Sequence, residues 1–313
     1  MPRTPPHVSA DELNGGRTDP ARVVAAVWIN QAWPVGQSEE IAEGAGPFTT
    51  RISRRLAEGK VATWESRVAR KRGTLTVRTT GHEEGGSRSA DSVSLNRLRR
   101  LNAIASSAFT IGGGLFALGA ALTQLGITGP TASASIYFAG GLFFNTGGYS
   151  SLLQAINAPR RGPDGASLLT GHWRWWRYEP ARIDWLSTFV LFVGTLVFGV
   201  NLLDSFLQGL TVQQVNRLIW TPDVIGCLLF LISGHLAITE VCHGRPCFCP
   251  RSLAWWIVGV NQLGSALFMV SALAAFTRPE TGSPVNVDIA SWGTFAGAVC
   301  FAAGGVLQFF ERP

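Results

Sequence analysis

Residues 242 to 249, CHGRPCFC, place three thiols and an imidazole within eight positions. Cys242, His243, Cys247 and Cys249 are ligand types that zinc accepts, yet C-H-x-x-x-C-x-C lacks the paired C-x-x-C hooks of structural zinc sites, so metal binding is not expected here. Reversible acylation of juxtamembrane cysteines is the other chemistry open to them. A second set lies just upstream, in the apolar run IWTPDVIGCLLFLISGHLAITEV (219–241), which begins near Pro222 and Asp223, contains His235 and leaves through Glu240. Ionisable groups at membrane depth usually face the bundle interior or a cavity. His235, with Asn145 and Tyr149 on the corresponding face of another apolar run, therefore makes a candidate polar or transport site, and an interhelical hydrogen bond is the plainer alternative. Asn201, Asp204, Asn261 and Gln262 could line a pathway or satisfy one another. Asp223, following Thr-Pro, is expected to cap a helix start.

The elements that must position these groups are apolar helices. Residues 1 to 100 hold 16 Lys/Arg and 11 Asp/Glu, and residues 101 to 313 only 10 and 9, spread mostly between long apolar stretches. Crossing a hydrocarbon core of ~30 Å takes about 20 helical residues. Six stretches qualify, at about 103–125, 134–156, 184–207, 222–241, 253–276 and 289–310. The expectation is an all-α integral membrane domain (99–313) behind a cytoplasmic, mostly irregular polar region (1–98). In that region ARVVAAVWINQAW and ISRRLAEGKVATWESRVARKR are candidate amphipathic helices, GTLTVRTT a short strand, and residues 1–20 and 82–95 tail and linker. The amino-terminal residues lack the apolar core of a secretory signal. Arg97, Arg99 and Arg100, the arginines between the second and third stretches, and Arg245 and Arg251 sit on one side. The positive-inside rule then puts both termini in the cytoplasm of a bacterial inner membrane.

Each of the six stretches carries Gly followed four residues later by Phe: Gly112/Phe116, Gly140/Phe144, Gly194/Phe198, Gly226/Phe230, Gly264/Phe268 and Gly297/Phe301. The even stretches add a second glycine, Gly148, Gly234 and Gly305, and six residues beyond each stands Gln154, Glu240 or Glu311. Pro180 and Pro250 lie fourteen residues before their glycines, and Trp185 and Trp255 nine before. This spacing predicts a two-helix hairpin used three times in parallel, at about 101–157, 180–241 and 250–311. Small residues let membrane helices approach closely, which makes the Gly–Phe–Gly faces packing surfaces. Trp185, Trp255 and Trp256, with Trp173, Trp175 and Trp176, are expected as interfacial anchors. Gln154, Glu240 and Glu311 could cluster at the cytoplasmic end, paired with Arg160, Arg245 or Arg312.

RRLNAIASSAFTIGGGLFALGA, WLSTFVLFVGTLVFGVN, WTPDVIGCLLFLISGHLAITE and WWIVGVNQLGSALF resemble bacterial multi-pass membrane proteins of the YrhK-like type, over about residues 97–311. The resemblance implies a membrane protein of unassigned activity and brings no catalytic residues with it. No stretch reads as a nucleophile elbow, phosphate loop, metalloprotease helix or dinucleotide fingerprint, so neither an enzyme nor a cofactor is expected. The net charge of +6 points to an anionic lipid face rather than to nucleic acid. The expected partner is the lipid bilayer, and the sequence leaves the oligomeric state open. A non-enzymatic structural or interaction protein is the leading expectation. A small transporter or channel using Asn145, Asp204 and His235 stands second, and a metal- or redox-responsive protein using the loop thiols third.

Overall fold

The structure is a computed structural model that describes residues 40–56, 59–79 and 85–311. The tail and the expected helix in ARVVAAVWINQAW lie outside the described residues. The polar region that follows is ordered rather than irregular. Five antiparallel strands, β1 (Glu40–Ala45), β2 (Phe48–Arg55), β3 (Lys60–Glu65), β4 (Thr74–Thr79) and β5 (Gly85–Ser89), form a sheet in sequence order. ISRRLAEGKVATWESRVARKR is thus not one amphipathic helix. Its alternating half supplies β2 and β3, and among its described residues the α-helix is Ser66–Arg72, as α1. GTLTVRTT supplies β4 as expected, and the expected linker supplies β5.

The α1 segment is one link of the β3–β4 connection and stops at Gly73, whose left-handed backbone (φ 63°) returns the chain to the sheet. A Cβ at Gly73 would stand 2.7 Å from the Leu95 side chain, so glycine is required there both for conformation and for space. Ala62 and Leu75 bury the inner face of the sheet against Ala166, in the loop that carries β6 (Arg160–Arg161) and β7 (Leu168–Leu169).

Six long helices follow: α2 (Ser92–Gln124), α3 (Pro130–Ile156), α4 (Ile183–Asp204), α5 (Val212–Val241), α6 (Leu253–Ala274) and α7 (Val287–Phe310). Five of them, all but α3, are long and apolar enough to cross a bilayer, which marks a multi-pass membrane protein. Their outward faces carry exposed Ile111, Leu142, Leu196, Leu228, Leu263 and Val299, an apolar surface that lipid rather than water would cover. Asp91 caps α2 by accepting from the Ser94 amide.

The start of α5 differs from expectation. Asp223 does not cap it, because the helix already begins at Val212, where Thr211 and Gln214 form a capping box. Between them the helix widens into a π-turn, Val215–Trp220, and the Thr221 amide and hydroxyl both donate to the Asn216 carbonyl. Pro222 has no N–H, and its ring would crowd the preceding turn of a regular α-helix. The π-turn lets the helix run on through the proline.

The helices close into a ring. Each packs on the next, and α7 packs back on α2. Within α2/α3, α4/α5 and α6/α7 the contact is reciprocal: a Cβ at Gly112 would meet the Phe144 ring and one at Gly140 the Phe116 ring. Gly194 meets Phe230 and Gly226 meets Phe198, and the same exchange joins Gly264 to Phe301 and Gly297 to Phe268. The second glycines serve the other joints. Gly148 lies against Thr195 of α4, Gly234 against Gln262 of α6 and Gly305 against Thr110 of α2.

Candidate functional site

Six phenylalanines, one per helix, meet at the centre of the ring. Ring centroids are 5.2 Å apart for Phe116–Phe144, 5.6 Å for Phe116–Phe198, 6.0 Å for Phe198–Phe230 and for Phe230–Phe301, and 5.4 Å for Phe268–Phe301. Edge-to-face and offset pairs of this kind add about 0.5–1.5 kcal/mol each beyond the area they bury. The bundle interior at this level is packed with aromatic carbon.

Between this aromatic layer and the sheet lies a cavity of about 90 Å³. Phe109, Phe230 and Phe301 floor it, and its walls are mixed, with Ser151, Asn261 and Gln308 beside Leu191, Ile257 and Val258. Its lid is α1. Arg67, Arg70 and Lys71, spaced i, i+3 and i+4, fall on one face of that short helix and point into the ring.

Each of these cations meets a group offered by the bundle. Arg70 Nη2 donates to Glu240 Oε2 at 3.0 Å, and Ser66 Oγ donates to Glu240 Oε1 at 2.7 Å. Arg67 grips Glu311 with two bonds of 2.8 and 2.7 Å. Lys71 Nζ donates to Asn102 Oδ1 at 3.1 Å, and Asn102 in turn donates to the Gln308 carbonyl at 2.9 Å. The third position of the predicted acidic set, Gln154, donates to the Leu98 carbonyl at 3.3 Å. Asp184 is buried beside the cluster and bidentate to Arg182.

The charges respond to this burial. Desolvation would depress the Arg67 guanidinium, yet Glu311 and Glu240 raise it above its ordinary value. Desolvation likewise pushes Glu311 up, but Arg67, Lys71 and Arg70 hold it below the usual carboxylate range. Lys71 goes the other way: burial first, then Arg70 and Arg67, hold its ammonium well below its usual value against the weaker pull of Glu311 and Glu240.

Of the expected cluster of Gln154, Glu240 and Glu311, the two glutamates both bind α1 while Gln154 bonds within its own hairpin, and the partners of the glutamates were not legible in the spacing. They are not Arg160 or Arg245: Glu240 takes Arg70, Glu311 takes Arg67, and Arg160 pairs with Glu179. The available signal was the basic spacing within SRVARKR.

The other expected site falls apart. His235 is exposed on the outer surface of α5. Tyr149 donates to the Trp175 carbonyl at 3.3 Å and packs on Phe192, and Asn145 stands against Gly199. Asn201 is buried and its carbonyl accepts from Ser205, while Asp204 ends α4, the far end from the sheet. The reason is rotational, since His235 lies about 100° round the helix from Gly234, which already faces α6. Trp185 is not an interfacial anchor either, being buried and stacked on Phe189 at 4.7 Å, whereas Trp175, Trp176 and Trp256 are exposed.

Nor are the loop thiols all reduced. His243 (φ 52°) and Gly244 (φ 76°) turn the chain sharply after α5, and Cys242 and Cys247 are joined in a disulfide with their Cα atoms 5.5 Å apart. His243 Nδ1 shares a 2.9 Å hydrogen bond with Thr50 of the sheet, and Cys249 is free and exposed. Among the described residues no group of three His, Cys, Asp or Glu side chains is placed to hold a metal ion.

No family model, curated protein or solved structure matches the chain.

Proposed function

We propose that this is a non-enzymatic membrane protein of structural or interaction type, in which a closed bundle of three parallel hairpins is locked to an extramembrane sheet by α1. The observation that carries the reading is the layer of six phenylalanines, one from each helix, whose rings pack against one another across the bundle axis.

Positions equivalent by the repeat support the three-hairpin reading. Phe109, Leu191 and Asn261, each seven residues before its core phenylalanine, all line the cavity. So do Ser151, Ala237 and Gln308, each three residues beyond the second glycine. The sixth crossing would be α3, which contains no Asp, Glu, Lys or Arg and at about 1.5 Å per residue reaches ~40 Å. Its many Gly, Ser and Thr residues lower its hydropathy without adding a charge. The YrhK-like likeness belongs to the same proposal.

The arginine-rich loops share the sheet's end of the bundle. Under the positive-inside rule this supports a cytoplasmic position for the sheet and both termini at a bacterial inner membrane. Arg99 and Arg100, beside Ala103 and Phe309, form a shallow pocket at this level that suits an anionic lipid headgroup.

A transporter is the second reading, favoured by the partly polar cavity below the aromatic layer. Purified protein in sealed vesicles decides between the two. The closed bundle is expected to pass small ions and polar solutes no faster than protein-free vesicles, and saturable flux would overturn it in favour of transport.

A further inference from the structure

The buried cluster under the aromatic layer has an unbalanced charge and unused donors. Three cations, Arg67, Arg70 and Lys71, face two carboxylates, Glu240 and Glu311, while Asp184 is matched by Arg182. One positive charge is left over in a region where Arg70 and Lys71 are each only 3% exposed. Burying an uncompensated charge is costly.

The surplus also has somewhere to point. Arg70 Nε is buried without a hydrogen-bond partner. The Ser151 hydroxyl and the Asn261 amide line the cavity, and among the described residues neither side chain has a hydrogen-bond partner. Lys71 spends one of its three N–H donors on Asn102. These groups are donors or can act as donors, and the cations among them exclude a metal ion.

From this geometry we infer that the cavity under α1 is a binding site for one small monovalent anion, of the size of a halide or nitrate, held by Lys71, Arg70, Ser151 and Asn261. The volume of about 90 Å³ holds such an ion with a few waters, since a water occupies ~30 Å³ in the liquid. The single charge matches the single surplus cation. Entry is from the sheet end, where a cleft of about 380 Å³ shares Arg67 and Lys71 with the cavity and adds Arg72 and Arg251 at its mouth. Of the carboxylates there, Glu240 and Glu311 are ion-paired to α1 and Glu65 to Arg51. Lys71 is the cation of the three with no carboxylate of its own, so burial and its neighbours Arg70 and Arg67 hold its ammonium down, and a bound anion would supply the missing counter-charge. This site goes beyond the closed-bundle reading and does not depend on it.

The test uses the full-length protein in detergent, with bromide as probe and gluconate replacing it at constant ionic strength. Bromide is expected to raise the unfolding temperature saturably, and crystals grown in bromide should show one anomalous peak in the cavity. Ser151→Ala and Asn261→Leu, which leave every ion pair in place, should each weaken bromide by about tenfold or more, the usual worth of a hydrogen bond to a charged group. Lys71→Met should abolish the response. Equal stabilisation by gluconate and bromide, an unchanged response in both Ser151→Ala and Asn261→Leu, or bromide only at the surface would each overturn the site. Vesicle flux is a separate readout: flux with no bromide site sinks the closed bundle alone, and a bromide site with no flux leaves both proposals standing.

Discussion

Arg70 and Glu240 lie 170 positions apart in the chain, yet their side chains meet at 3.0 Å with 4% and 0% of their surface exposed. The contact joins the short helix inside the sheet domain to the end of a membrane helix, out of reach of water. An ion pair this deep is weak evidence of net stabilisation, because desolvating both partners offsets most of the attraction. It is strong evidence of registration, since either charge alone would be stranded.

Glu240→Gln or Arg70→Met should therefore each lower stability by about 3–5 kcal/mol, the usual cost of breaking a buried pair from one side. The double variant Arg70→Met/Glu240→Leu should recover most of that loss. Thermal unfolding of the four proteins in one detergent measures the coupling. Simple additivity of the two losses would mean that the side chains do not interact.

Glu311 supplies a pH dependence. Arg67, Lys71 and Arg70 hold its carboxyl below the ordinary value of 4.5, so between its folded and unfolded pKa values the unfolded chain binds the proton and the folded one does not. Its contribution is fully present above about pH 4.5 and is lost as pH falls through the lower folded value. Glu311→Gln should flatten this acid limb of the stability curve. An acid limb of unchanged steepness in the variant would show that the pair with Arg67 does not set it.

The glycine contacts predict opposite results on one helix. A Cβ at Gly112 would stand 2.7 Å from the Phe144 ring and 3.0 Å from the Gly140 carbonyl, whereas one at Gly114 meets nothing within 4 Å. Gly112→Ala should destabilise by about 1–3 kcal/mol through overpacking. Gly114→Ala should be neutral or stabilising by up to about 1 kcal/mol through helix propensity. Equal effects at both sites would contradict the packing of α2 on α3.

His235→Leu should leave folding and stability within about 0.5 kcal/mol of the parent protein, as expected for an exposed residue away from special features. A large loss of stability would instead return His235 to the interior.

The Cys242–Cys247 disulfide tests the proposed orientation. In a reducing cytoplasm such a bond does not persist, so both thiols should react with a membrane-permeant maleimide in intact cells and close only after purification in air. Full protection of the pair before lysis would place this loop, and the sheet beside it, on the oxidising side of the membrane.

The sequence by itself determined the apolar helices and which of their faces pack. Length and hydropathy are one-dimensional quantities, and Gly–x–x–x–Phe is a pattern one helix displays without knowing its neighbours. The spacing also singled out Gln154, Glu240 and Glu311 before any partner was known. What only the tertiary structure decided was rotation and long-range pairing. The turn of α5 about its own axis set His235 outward, since 3.6 residues per turn fixes relative angles but not which angle meets a neighbour. The i, i+3, i+4 spacing of Arg67, Arg70 and Lys71 is visible in SRVARKR, but it reads equally as a solvated basic face. It became the lid of the cavity because the β3–β4 connection delivers α1 to the mouth of a ring whose carboxylates come from residues more than 160 positions later, and burial there pairs each of those carboxylates with one of the α1 cations.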